Sequence, residues 1–277
     1  MPIRSSVTIS LVAEAWGGPF VFRNDLPGTL KNAKSLGFDA VEIFPPSPDA
    51  IDIEHLRTLL SDNGLALAAM GTGAGWLRDR LHLCLPEAPR RAQAREFIRA
   101  IIDVAGALGA PAIIGSMQGK HGAGVDRETA LGYLSDSLED LGEHASKWHV
   151  PLIFEPLNRY ETNLVNTIDA GVALLRELTT GNVKLLADIF HMNIEERDIA
   201  EAVRSGAGYI GHVHFVDSNR RPAGSGHIDF TPIAQALEAI GYEGYASAEA
   251  LPYPDSDTAA KATMTAFRRY FSNPSQH

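Results

Sequence analysis

Eight short apolar runs punctuate this chain, at 7–13, 40–44, 65–70, 112–115, 151–155, 183–188, 209–214 and 244–249. Segments of helical period fill the intervals. Most of the runs are continuously apolar, which suits parallel strands buried on both faces. In one interval Leu131, Leu134, Leu138, Leu141 and Ala145 recur at steps of three and four and mark one face of a helix. A second helix is expected over 94–108, ended by Gly109 with Pro111 beyond it. Gly64 and Gly181 read as similar stops. Thr231 reads as an N-cap followed by Pro232 at the first helical position.

Eight strand–helix units predict an α/β protein, a (β/α)8 TIM barrel, as a single domain over 1–277 with 272–277 as a loose tail. Such a barrel takes about 250 residues, nearly all of the 277 present. An open doubly wound sheet is the alternative. Its phosphate loop would have to be the glycine run at 71–75. Trp76 stands where the third glycine of that motif belongs, so the run reads as a plain loop after the third strand.

Composition narrows the function classes. The net charge of −10, from 24 Lys+Arg against 34 Asp+Glu, argues against general nucleic-acid binding. One cysteine, Cys84, allows neither an internal disulfide nor a thiolate metal cluster. No run approaches the roughly 20 apolar residues of a membrane span. The first 15 residues read as a strand and not as a signal peptide. A cytoplasmic protein is expected.

In a barrel the active site forms at the C-terminal ends of the strands, so the polar residues that end apolar runs carry the information. The last four runs end in Glu155, Asp188, His214 and Glu249. They lie about one βα unit apart, so four consecutive strands would aim a carboxylate or an imidazole at one point. Three carboxylates crowded together repel and resist ionising, and a divalent cation removes that problem. Such a set suits Mn²⁺, Mg²⁺ or Co²⁺; so many oxygens suit Zn²⁺ less well. Glu161, His191 and Arg220 follow in the loops just above this ring. Trp16 and Trp76, near the mouth, could pack on the ring of a bound substrate; ordinary packing at the barrel edge is the favoured reading.

The segments FEPLNRYETN, ADIFHMNIEE, HVHFVDSNR and GSGHIDF, all after position 150, resemble the sugar isomerases and epimerases of the xylose isomerase-like barrel superfamily. Within it they are most similar to ketose 3-epimerases of the D-tagatose and D-psicose type. The resemblance implies that Glu155, Asp188, His214 and Glu249 ligate one divalent metal ion, Mn²⁺ foremost. It implies that Glu155 and Glu249 are also the acid/base pair. It implies that His191 and Arg220 bind substrate oxygens and that Glu161 supports the substrate or Glu155. A homodimer or homotetramer acting on a small sugar or keto-acid follows from the same likeness. Two departures, Ile189 after the aspartate and the run Ala250–Leu251–Pro252 after the last glutamate, leave the substrate open. A free ketohexose, a keto-acid sugar, an inosose and hydroxypyruvate all remain.

The residue types fit the chemistry. Removing a proton beside a ketone places negative charge on oxygen, which a metal ion stabilises. Two glutamates on opposite faces of the substrate invert the stereocentre. One base moving a proton between neighbouring carbons gives an aldose–ketose isomer instead. Competing readings are an abasic-site endonuclease, which needs a richer histidine set and a basic groove, and a non-catalytic sugar-binding barrel, which needs no pair of glutamates.

Overall fold

The computed structural model describes residues 2–122 and 124–271; the tail expected at 272–277 lies outside them. Eight parallel strands form the barrel: β1 (Arg4–Ser10), β2 (Ala40–Phe44), β3 (Ala66–Gly71), β4 (Ala112–Ile114), β5 (Leu152–Phe154), β6 (Val183–Asp188), β7 (Ile210–His214) and β8 (Tyr245–Ala248). Each pairs with the next, and β1 pairs with β8 in the register Arg4↔Tyr245 to Val7↔Ala248, closing the ring. A two-residue strand, Phe22–Arg23, adds to the outer end of β1. No helix among the described residues is long and apolar enough to cross a membrane.

Helices cover the outside, and their starts follow from capping chemistry. Asp25, Asp52, Asp126, Thr167 and Asp198 each accept a backbone N–H three residues on. The helix Arg127–Ser146 buries Leu134, Leu138, Leu141 and Ala145 as the stripe predicts, with Leu131 half-buried beside them. The helix expected over 94–108 begins earlier, at Ala88, and runs to Ala107. Its first turn is polar, and Pro89 is tolerated there because the first turn's N–H groups have no intrahelical partner. Gly64 and Gly109 take left-handed conformations at helix ends. Gly181 does not act as a stop. Its helix ends at Glu177 with Leu178 in the cap position, and Glu139 accepts the N–H groups of Thr179 and Thr180. Thr231 is the first residue of its helix and not the cap, because Asp229 accepts the Thr231 N–H at 2.9 Å.

The barrel interior is divided. On β3 to β6, Ala69, Ile113, Ile153 and Leu186 form a small apolar cluster of their own. The other half is polar, with Ser6, Thr8, Glu42, His212, His214 and Ser247 all buried. This polar half leads up to the strand ends where the candidate site lies.

Candidate active site

Four strand ends converge. Asp188 closes β6 and caps the following helix Ile189–Glu195, its Oδ1 accepting the N–H groups of Phe190 at 2.8 Å and His191 at 3.2 Å. That leaves Oδ2 facing inward, 3.1 Å from His214 Nδ1. The same Nδ1 is 3.8 Å from Glu155 Oε1 and 3.8 Å from Glu249 Oε2. Three carboxylates thus surround one imidazole nitrogen. Glu155 follows β5 directly. Its backbone carbonyl accepts from Gln118 Nε2 at 2.8 Å, and its carboxylate packs against Gly115, where a Cβ would lie 2.4 Å from Oε2.

Among the buried polar atoms here without a hydrogen-bond partner are Glu155 Oε1 and His191 Nε2. They are 3.7 Å apart, and His191 Nε2 is 3.8 Å from Asp188 Oδ2. Unpaired buried groups are costly, so orphaned donors and acceptors beside a carboxylate cluster mark a place built for something else to bind. An ion ligated by oxygens and one imidazole fits both the donor set and the orphaned oxygen.

The electrostatics agree. Burial pushes the Glu155 carboxyl well above its ordinary range; His214 opposes this, while Glu249 and Asp188 add to it. Burial also raises Glu249 against the pull of His214 and Arg220. Burial would raise Asp188 too, but His191 and His214 hold it below the usual carboxylate range. His214 is raised despite burial, chiefly by Glu42 and Glu249. Burial lowers His191. Its Nδ1 lies 2.7 Å from Asn158 Nδ2 and 3.3 Å from the Asn158 backbone N–H, both donors. Nδ1 therefore accepts, and the neutral ring carries its proton on Nε2, aimed at the carboxylates.

Above the ring, Arg220 bridges two carboxylates, with Nη2 2.8 Å from Glu249 Oε2 and Nη1 3.3 Å from Glu161 Oε1. Glu161 thus touches Arg220 and Asn158. A cavity of about 380 Å³ opens over these groups, and its wall includes Phe20, Phe44, Trp76 and Leu77. Trp76 lines it, and so does Trp16, which is 80% exposed. Both tryptophans thus border the cavity, and the exposed Trp16 is not packed into the barrel edge. The run at 71–75 is not the plain loop expected: Gly71 ends β3, Gly73 is the cap of a short helix, Ala74–Asp79, that takes in Ala74 and Gly75, and Gly71, Thr72 and Gly73 form part of the cavity wall.

Residues 30–270 match the family model of the xylose isomerase-like TIM barrel. The chain belongs to that family. An L-ribulose 3-epimerase of Mesorhizobium japonicum is 34% identical over 224 residues, 79% of this chain and 73% of that one. A D-psicose 3-epimerase of Ruminiclostridium cellulolyticum is 30% identical over 222 residues, 78% and 74%. A solved structure of an L-ribulose 3-epimerase superposes with a TM-score of 0.77 at 28% identity, covering 99% of each chain.

Two features of this xylose isomerase-like barrel escaped the sequence reading. Glu42 sits mid-strand in β2, buried, and contacts His212 and His214. A carboxylate inside an apolar strand was the available signal. Asp217, fully buried below the loop 224–227, accepts the N–H groups of Ser218 at 2.7 Å and Gly224 at 2.8 Å, and of Ile228 at 3.3 Å. The backbone donors that could have cradled a phosphate are therefore already occupied by a carboxylate.

Proposed function

We propose that this barrel is a metal-dependent sugar epimerase that inverts C3 of a small neutral ketose through an enediolate. The observation that carries the reading is the pair Glu155 and Glu249. Glu155 is buried and Glu249 partly buried, both carboxyls have raised proton affinity, they follow strands three places apart in the ring, and both face the same imidazole nitrogen.

Glu155, Asp188, His214 and Glu249 would hold one divalent ion, Mn²⁺ being our choice, with Co²⁺, Mg²⁺ and Zn²⁺ as alternatives. When bound, such an ion stabilises negative charge developing on substrate oxygen. One glutamate takes the proton from carbon on one face. The other, arriving protonated, returns a proton to the opposite face. A glutamate that gave the ion one oxygen would keep its other oxygen free to take or return that proton. The Nε2–H of His191 donates to a substrate oxygen and holds it fixed. Arg220 keeps Glu249 oriented through its 2.8 Å contact and presents its guanidinium to the substrate hydroxyls, with Glu161 steadying it. Aromatic side chains over the cavity exclude water from the reacting carbons.

A neutral substrate follows from charge. Among the described residues that line the cavity, Arg220 is the one Arg or Lys, and two carboxylates already engage it. A phosphate or carboxylate group would meet Glu14, Glu161 and Glu249, and beyond the metal ion the one cationic side chain near it would be Arg220, which two carboxylates already engage. A cytoplasmic homodimer or homotetramer belongs to the same reading, and light scattering showing a monomer at working concentration would remove the assembly.

The test is a panel of ketohexoses, ketopentoses, keto-acids, inososes and hydroxypyruvate in heavy water, after chelation and with Mn²⁺ restored. Inversion of a ketose with deuterium entering C3, lost on chelation, is expected. Turnover of hydroxypyruvate alone, or full activity without metal, would overturn the proposal.

A further inference from the structure

Glu42 stands apart from the proposed machinery, yet it is among the most tightly engaged side chains in the barrel. It is 6% exposed. Each of its two carboxylate oxygens faces a different imidazole: Oε2 lies 2.8 Å from His212 Nε2, and Oε1 lies 3.1 Å from His214 Nε2. The contact crosses the barrel interior from β2 to β7, two strands that are not neighbours in the sheet. The two rings are held nearly perpendicular, with centroids 5.5 Å apart. A register shift falls beside each partner, between Val41 and Glu42 on β2 and between Leu185 and Leu186 on β6, where Leu186 pairs with His212. Such irregularities re-aim side chains at functional positions.

The consequence reaches His214. An imidazole binds a metal through a ring nitrogen that carries no proton, and the partner of the other nitrogen decides which one that is. A carboxylate accepts and cannot donate, so Glu42 requires a proton on His214 Nε2. Nδ1 faces Glu155, Glu249 and, at 3.1 Å, the accepting Oδ2 of Asp188, so a cation entering there would displace the proton on Nδ1, and with Nε2–H held by Glu42 the lone pair is presented from Nδ1. His212 donates to the second oxygen and keeps the carboxylate from rotating away.

We infer that Glu42 is a positioning residue that locks His214 in the tautomer and orientation presenting Nδ1 to the metal site, with His212 bracing Glu42. This rests on the reading of Glu155, Asp188, His214 and Glu249 as metal ligands. It concerns two residues outside that set.

Glu42→Gln keeps the size but offers one acceptor oxygen and one NH2. One imidazole must then change tautomer or lose its bond. If it is His214, the lone pair moves away from the site. Outer partners of metal-bound histidines typically contribute about 10- to 100-fold in affinity.

Mn²⁺ alone, counted by the EPR signal of the free ion, gives affinity and stoichiometry for wild type and E42Q. The expected result is one ion in wild type and a dissociation constant at least tenfold weaker in E42Q. The ¹⁵N spectrum of wild type loaded with diamagnetic Zn²⁺ should show His214 metallated at Nδ1 and protonated at Nε2. That measurement stands even if E42Q does not fold. A change of less than tenfold in E42Q, or metallation at Nε2, overturns the inference and leaves the metal reading intact. Two bound ions, one of them lost in E42Q, also overturns it, because Glu42 would then be a ligand. No Mn²⁺ bound by wild type removes the metal reading and this inference together.

Discussion

Gly115→Ala should separate folding from chemistry in this barrel. A Cβ built on Gly115 falls 2.4 Å from Glu155 Oε2, and ordinary contact begins near 3.4 Å. The carboxylate must therefore retreat by about 1 Å, a displacement that can cost on the order of 10²-fold in rate. Little of that reaches stability, because the clashing atom is the free end of a side chain. The backbone of Glu155 stays tied to Ile114 and Gln118. We expect turnover of the converted ketose to fall about 100-fold, close to 2.7 kcal/mol in the barrier. The melting temperature should move by no more than a few degrees. The assay is steady-state epimerisation at saturating Mn²⁺ beside a thermal melt of the same preparation. Turnover within threefold of wild type would refute the argument that Gly115 is small in order to seat the Glu155 carboxylate. A collapse in melting temperature would show that the glycine serves the fold instead.

Other outcomes follow from the same geometry. Burial pushes the Cys84 thiol up to about 12, so a thiol reagent at pH 8 should leave the native protein unlabelled and label it fully in denaturant; rapid native labelling would contradict this. Because the folded thiol titrates above its ordinary value of 9.0, its contribution to stability is intact below about pH 9 and is lost as pH rises toward 12. Asp217→Asn leaves one accepting oxygen for several backbone N–H groups and should cost about 1–3 kcal/mol, seen as a lower denaturant midpoint; an unchanged midpoint would mean those bonds carry little. Inorganic phosphate should not compete with substrate, since Asp217 already occupies the loop's donors, and strong competitive inhibition would refute that.

Much of this was legible in the sequence because the signal was local. The run at 40–44 and the run at 183–188 coincide with β2 and β6, since a strand buried on both faces is mostly apolar, Glu42 and Lys184 being the interruptions. The convergence of Glu155, Asp188, His214 and Glu249 was readable because a polar residue ending such a run has one place to go in a barrel. What was hidden depends on distance in sequence. Glu42 meets His214 across 172 positions, and no periodicity reports a contact of that separation. The loop carrying Trp16 folds over the cavity through Arg23, which donates to the carbonyls of Ala15 and Gly18, and such side-chain ties leave no pattern in hydropathy. Helix ends were misplaced where a cap came from elsewhere, as with Asp229 ahead of Thr231.

The central claim, two glutamates working from opposite faces, is tested most directly by solvent isotope exchange in Glu155→Gln and Glu249→Gln with metal bound. Each C3 epimer is supplied separately in heavy water. With one epimer, the variant lacking the abstracting base should neither exchange nor invert, while the variant lacking the returning acid should exchange deuterium into C3 without net inversion. With the other epimer the two behaviours should swap, and each substitution should lower epimerisation by about 10²–10⁴-fold. If one variant epimerises both substrates at near-normal rates with metal bound, the two-face mechanism is wrong and the remaining glutamate is a single proton shuttle.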